Sequence, residues 1–331
     1  MELLMSKLVL KVIRLNIVII ASNQSSGVYR LLKTIAGLVR PEQMKLGITV
    51  VDDGSENTER DRLAVLKSKG VEILRNEHPR GWVFSVNRAI GNSNADWCWI
   101  IAADTVVDDK NSLKYIDAMT RQGPALILGH CRYRDESPLA QVLNLKVSRA
   151  DKLSPDAAAT PDCFVINREA VMSFSGFRSE FSLPELAMTG MMEELNQKWR
   201  SGKIAVSSGL SVSRVQAPEL GCWLEACEKF GRIASDSLMP EYPLYYMRRR
   251  FHWLDQQYSD RFWLSPWKAM LQFGYHRKEW FIKLTQYPKM PLFGQWLILK
   301  ILWALAFSAG TRGVASVASA ADAKQRIKTS S

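Results

Sequence analysis

Cysteine is scarce in this chain of 331 residues: five, at Cys98, Cys131, Cys163, Cys222 and Cys227, odd in number and never spaced CxxC. That pattern argues against a disulfide framework and against a zinc ribbon, and it fits a reducing compartment. No GxGxxG follows the first apolar strand, where ASNQSSG stands instead, so the fingerprint of a dinucleotide-binding oxidoreductase is missing. Acids are in deficit, with Asp+Glu 33 against Lys+Arg 44 and a net charge of +11. A long uninterrupted apolar run is also lacking. Residues 292–309 come closest, but Gln295 and Lys300 break them, and a spanning helix needs about 20 apolar residues with few charges. The apolar start is cut by Lys7, Lys11 and Arg14 and has no small-residue cleavage site, so it is not read as a signal peptide.

What is present is an alternation of two periods. LNIVIIAS (15–22), GITVVDD, VEILR (71–75), DWCWIIAA (96–103) and ALILGH (125–130) read as strands. Between them lie helical patterns: 26–38 with Ser25 or Ser26 as its cap, SENTERDRLAVLKSKG with Ser55 as its cap, GWVFSVNRAIGN, and roughly 109–121. Strand–helix–strand repetition implies right-handed crossovers and a mostly parallel sheet covered by helices on both faces, an α/β class. DCFVINREAV (162–171) reads as strand then helix, LPELAMTGMMEELNQKWRSG (183–202) as a helix, and KIAV as a further strand. From about residue 216 the chain reads as helical, aromatic and basic.

Parallel strands share one carboxyl edge, and ligands of open α/β sheets bind outside it. Three strands here end in polar groups: Ser22 and Asn23 after Ala21, then Asp52 and Asp53, then Asp104. A buried carboxylate is costly unless it is paired. One reading of Asp52–Asp53–Gly54–Ser55 is an ordinary turn in which the acids bond backbone amides; the other is a ligand cleft.

The blocks IVIIASN, ITVVDDGSENTE and RNEHPRGWVFSVNRAIGNSNADWCWIIAADTVVDD resemble, in order and spacing, those of a family 2 glycosyltransferase with the GT-A fold. Similarity continues more weakly through PDCFVINREAVMSFSGFRSEF to MMEELNQKWRSGKIAV. The resemblance implies a Rossmann-like GT-A domain over 1–215, with a nucleotide-binding half at about 15–130 and an acceptor half at about 131–215. It implies that Asp53 accepts from the base of a nucleotide-sugar donor, that Asp52 supports that loop, and that Asn87 helps to hold the donor side. Arg80 could face the diphosphate or be a solvated loop arginine. Asp104 matches the metal-contacting acid of the family's DxD motif, implying Mg²⁺ or Mn²⁺ as cofactor. The chain departs from that motif, since AADT puts Ala102 and Thr105 where acids are usual. It departs again at Ile20, Ala21, Ser22 and Asn23, where the family's aromatic for stacking the base is missing.

An inverting transferase also needs a carboxylate to take the proton from the attacking hydroxyl. Glu193 and Glu194 best match the family's acid pair, with Glu185 as a substitute and a solvated helix face as the plain alternative. Met188, Met191 and Met192 read as core. The family's later histidine has no counterpart in LSVSRVQ, and His78, His130, His252 and His276 are expected to be structural or exposed.

Between Tyr246 and Lys289 there are nine Lys/Arg against three acids, and seven of the eleven tryptophans follow residue 220. This is the composition of a segment that settles at an anionic headgroup layer, so residues 216–331 are read as a helical, membrane-associated region. The expectation is a metal-assisted, inverting glycosyltransferase at the cytoplasmic face of the inner membrane, peripheral or monotopic. It would act on a saccharide or lipid-linked acceptor, or on an envelope polysaccharide precursor, with no nucleic-acid partner. The competing expectation is a catalytically silent GT-A module that binds a glycan or a partner.

Overall fold

The computed structural model describes residues 12–147, 160–198 and 204–233, with isolated positions between 291 and 306. The N-terminal residues 1–11, the basic aromatic stretch 246–289 and all but a few positions of 292–309 lie outside the described residues.

The chain opens with three parallel strands, β1 (Ile13–Ala21), β2 (Met44–Asp53) and β3 (Glu72–Asn76), joined by α1 (Ser25–Ala36) and α2 (Asn57–Ala64). After α3 (Trp82–Asn92), β4 (Trp97–Ala102) enters parallel to β1 on its other side. A two-residue turn then leads to the short β5 (Thr105–Val107), followed by α4 (Ser112–Thr120), β6 (Leu126–Tyr133) and α5 (Pro138–Val147). The later elements are β7 (Cys163–Asn167), α6 (Arg168–Met172), α7 (Pro184–Lys198), β8 (Ile204–Arg214) and α8 (Leu220–Ile233). The sheet has eight strands in the order β3-β2-β1-β4-β7-β6-β8-β5. It is mixed: β1 to β4 are mutually parallel, whereas β7 runs antiparallel to both β4 and β6, and β8 antiparallel to β5.

Parallel strands covered on both faces read as near-continuous apolar runs. β1 shows this, with Leu15, Ile17, Val18 and Ile19 at 1% exposure or less. The exception is Asn16, which is buried and satisfied across the strands: its Nδ2 donates to Thr49 Oγ1 at 3.0 Å, and Thr49 donates onward to Glu72 Oε2 at 2.7 Å. α1 buries Val28, Leu31 and Ile35 against this sheet. The methionines of α7 are buried, as read from the sequence.

Two cap assignments change. Neither Ser25 nor Ser26 caps α1; the N-cap is Gln24, without a side-chain bond, and Ser25 N–H donates to Glu59 Oε2 at 2.8 Å. Ser55 does not cap α2 either, since Glu56 holds that position and Ser55 Oγ accepts Asn23 N–H at 2.9 Å. In both places a tertiary partner outcompetes the local one.

The chain divides into two compact units. The first comprises Met1–Arg132, Val147–Ser179 and Ala187–Arg214. The second comprises Tyr133–Lys146, Glu180–Leu186 and Val215–Ser331; a small apolar cluster of Leu139, Leu224, Cys227, Leu299, Leu302 and Ala306 lies within it. Among the described residues no helix is long and apolar enough to cross a membrane.

The bond from Ser25 holds the Glu59 carboxyl below its ordinary range, aided by Arg62. A depressed carboxyl stabilises the fold above its unfolded value, and that contribution disappears as the pH falls through its folded value. Glu59→Gln is therefore expected to lower Tm at pH 7, with the difference shrinking as the pH falls below about 4.3, the ordinary glutamate value, and vanishing only below the lowered folded value, as read by thermal unfolding across pH.

Candidate functional site

The register fixes where the polar strand ends meet. Ala21 lies beside Asp52, and Ile20 beside Ala102, so β1, β2 and β4 finish level with one another. Asp53 closes β2, while Asp104 sits in the turn after β4; both therefore stand at the same carboxyl edge, with β1 between them. Two strand spacings, about 10 Å, separate β2 from β4.

The two acids of β2 are employed differently. Asp52 is 1% exposed; its Oδ1 accepts the Ser55 N–H at 3.0 Å, and its Oδ2 pairs with Arg75, whose Nη2 also donates to the Ser55 carbonyl at 3.1 Å. Asp53 is 6% exposed and receives donors from the end of β3 and from the loop that follows it. Its Oδ1 accepts Asn76 Nδ2 at 2.7 Å and Arg80 N–H at 2.8 Å, and its Oδ2 accepts Gly81 N–H at 2.9 Å. A carboxylate offers about four acceptor positions, so Oδ2 retains capacity for one more donor. The turn reading therefore holds, since the acids bond backbone amides, and they do so at the carboxyl edge of the sheet.

Glycine is required where this edge is tightest. A Cβ on Gly54, which has φ +71, would lie 2.4 Å from the Pro79 nitrogen, so the DDG turn and the 78–79 segment touch backbone to backbone. A Cβ on Gly27 would lie 2.7 Å from the Ala103 carbonyl oxygen, so the first turn of α1 bears directly on the turn that carries Asp104.

Asn23 and Ser55 join the loops after β1 and β2. Asn23, at φ 54, donates its N–H to Ser55 Oγ and accepts Glu56 N–H at 2.9 Å through Oδ1. Ser22 is exposed at the same edge and Ala21 is buried. Arg80 is exposed, with its guanidinium carbon 4.4 Å above the Phe84 ring. The Asn87 amide is taken up by one backbone: Nδ2 donates to the Phe177 carbonyl and Oδ1 accepts the Phe177 N–H, each at 2.7 Å. It clamps the SGF turn, and Phe177 in turn packs edge-on against Trp82.

Asp104 is 44% exposed, and its Oδ2 lies 3.0 Å from Arg214 Nε. Arg214 also reaches Asp162 Oδ1 at 2.9 Å through Nη2. The strands explain the meeting: Thr105 is the antiparallel partner of Arg214, and Ala102 N–H donates to the Asp162 carbonyl at 3.0 Å. Neither Arg214 nor Asp162 was foreseen as part of the edge. Asp162 lies in PDCF and Arg214 in LSVSRVQ, neither of which carries a local signal of a site.

Glu193 and Glu194 lie on α7, half-buried, with Glu194 Oε1 3.9 Å from Arg178 Nη1; Glu185 is exposed. His78 is exposed and His130 buried, while His252 and His276 lie outside the described residues. Burial pushes the Cys98 thiol up to about 11 and that of Cys163 up to about 12, so neither supplies a nucleophile at neutral pH. Among the described residues no group of three or more His, Cys, Asp or Glu could hold a metal ion. Were a cation held at this edge, the chain's share in it would be a single carboxylate, Asp104. That share fits a cation completed by a ligand's own oxygens and by water, as Mg²⁺ sites commonly are.

Comparison with known proteins agrees with this architecture. The model of the family described as glycosyl transferase family 2 matches residues 16–179. A search of curated protein sequences finds no match. Among solved structures, the fold is similar to the mannosyltransferase PcManGT from Pyrobaculum calidifontis in complex with GDP-Man and Mn²⁺, with TM-score 0.60, 14% identity, and coverage of 90% of this chain and 87% of that one. It is similar to S. aureus TarS 1-349 in complex with UDP, with TM-score 0.52, 12% identity, and coverage of 92% and 91%. It is also similar to GalNAc-T7 with UDP, GalNAc and Mn²⁺, with TM-score 0.53 and 15% identity over 73% of this chain and 52% of that one. At these identities the likeness establishes the fold, which is GT-A.

The contact at Gly27 is checked by Gly27→Ala. The added methyl must displace the Ala103–Asp104 backbone, and overpacking of this kind costs about 1–3 kcal/mol. A lowered urea midpoint with unchanged slope is the expected result.

Proposed function

Residues 16–179 match the model of glycosyl transferase family 2, and on that premise we propose that the chain moves a sugar from a nucleoside-diphosphate donor to a hydroxyl acceptor with inversion. The observation that carries this reading is the common edge: Asp53 and Asp104 stand on either side of β1, each at a strand end where a donor would lie. In this reading Asp53 takes an imide N–H of the base on the acceptor position that Oδ2 retains. Ala21, Ser22 and Asn23 border the base, and Arg80 and Asn87 shape the donor side, Arg80 through its backbone and Asn87 through the SGF turn it clamps.

Asp104 is the protein's ligand to a divalent cation, Mg²⁺ or Mn²⁺. Such an ion would neutralise charge that builds on the leaving diphosphate. Mn²⁺ accompanies the donor or its product in two of the similar structures. Glu193 or Glu194 takes the proton of the acceptor hydroxyl; both lie in the same compact unit as Asp104, and both keep the partial exposure a base needs.

The acceptor we propose is a saccharide or a lipid-linked saccharide, or an envelope polysaccharide precursor, met at the cytoplasmic face of a membrane. Support comes from the basic and aromatic composition of residues 246–289, which suits an anionic surface. A second reading, a silent GT-A module that binds glycan or partner, is favoured by one observation: Ala102 and Thr105 leave Asp104 as the lone acid of its turn.

Two measurements separate the readings. A thermal-shift screen of UDP, GDP, TDP and CMP sugars with Mn²⁺ is expected to raise Tm with one base, because a ligand of the native state alone stabilises it; no shift with any donor would favour the silent module. With the donor identified, Asp104→Ala is expected to cut transfer at least about a hundredfold, the scale of losing one group that stabilises transition-state charge, while Tm without ligand changes little.

A further inference from the structure

Arg214 bridges two carboxylates that belong to different strands. Its Nε lies 3.0 Å from Asp104 Oδ2, and its Nη2 donates to Asp162 Oδ1 at 2.9 Å. The bridge is neither a loose surface pair nor a sealed core pair: the side chains are 27% exposed for Arg214, 44% for Asp104 and 16% for Asp162. Its geometry is fixed by the backbone on both sides, since Arg214 is the β-partner of Thr105 and Asp162 is hydrogen-bonded to the end of β4. A guanidinium therefore stands between two acids at the position where a cation would serve the donor site.

We propose that Arg214 is a resident counter-ion that keeps free divalent metal off Asp104, and that a nucleoside diphosphate, arriving with its metal, takes Arg214 as a phosphate partner in exchange. The inference rests on the transferase reading and deepens it. Asp104 and Asp162 without Arg214 would present two carboxylates to solvent, enough for a divalent ion to bind with water alone. With Arg214 in place, an ion must compete with a fixed positive charge for Asp104. A diphosphate changes that balance, because guanidinium matches phosphate oxygens in a forked geometry and the phosphates themselves supply metal ligands. Metal and donor then bind as one, and metal without donor does not.

The test is Mn²⁺ binding followed by the loss of its free-ion paramagnetic resonance signal, with and without the nucleoside diphosphate that raises Tm. The parent chain is expected to bind no Mn²⁺ alone at concentrations up to about tenfold over protein, and to bind it once the nucleotide is added. Arg214→Gln is expected to bind Mn²⁺ alone and to lose at least about tenfold in nucleotide affinity, the scale of one charge-assisted pair. Arg214→Lys, which keeps the charge but cannot span both acids, should fall between the two and guards against misfolding of the glutamine variant. Equal Mn²⁺ affinity of parent and Arg214→Gln in the absence of nucleotide overturns the proposal, as does undiminished nucleotide affinity in the variant. A parent chain that takes up no nucleotide under any metal condition overturns instead the donor-site reading itself.

Discussion

Two carboxylates can be buried at the end of β2 because the loops around them turn their donors inward. Asp52 holds the Ser55 N–H and Arg75, and Asp53 holds Asn76 and the N–H groups of Arg80 and Gly81. An unpaired acid there would be prohibitive, so the fold and the edge are one problem. The DDG turn, the 76–81 loop and the Asn23–Ser55 hook settle together, and what they enclose is a rigid strand edge, the setting in which pre-formed ligand sites of α/β sheets arise.

Much of this was legible in the residues. The apolar runs of β1, β2 and β4 and the helical face of α1 gave the sheet, and the polar strand ends gave the edge at which Asp53 and Asp104 both stand, because both follow from periodicity and chain direction. Long-range bonds were not legible. Glu59 replaces a local cap at Ser25, and Ser55 turns from its own helix to Asn23; both choices depend on a partner more than thirty residues away. Arg214 is the clearest omission. Nothing around it in LSVSRVQ signals a site, and only the antiparallel pairing of β8 with β5 brings it to Asp104.

That pairing also changes how the reduced AADT turn is understood. With Ala102 and Thr105 in place of acids, Asp104 is poorly equipped to hold a cation by itself. Arg214 and Asp162 surround it with fixed charge, so the turn is held electrostatically as well as sterically by Gly27. Thr105 assists from within, donating its hydroxyl to the Ala102 carbonyl at 2.7 Å.

The clamp between Asn87 and Phe177 has a consequence for how the molecule is made. The two residues are 90 apart in sequence, and ribosomes add about 5–20 residues each second. For roughly 5–18 s of synthesis, then, the helix bearing Asn87 has left the tunnel's entrance with its amide unanswered, and the early sheet must wait, unlatched, for the second half of its own polypeptide.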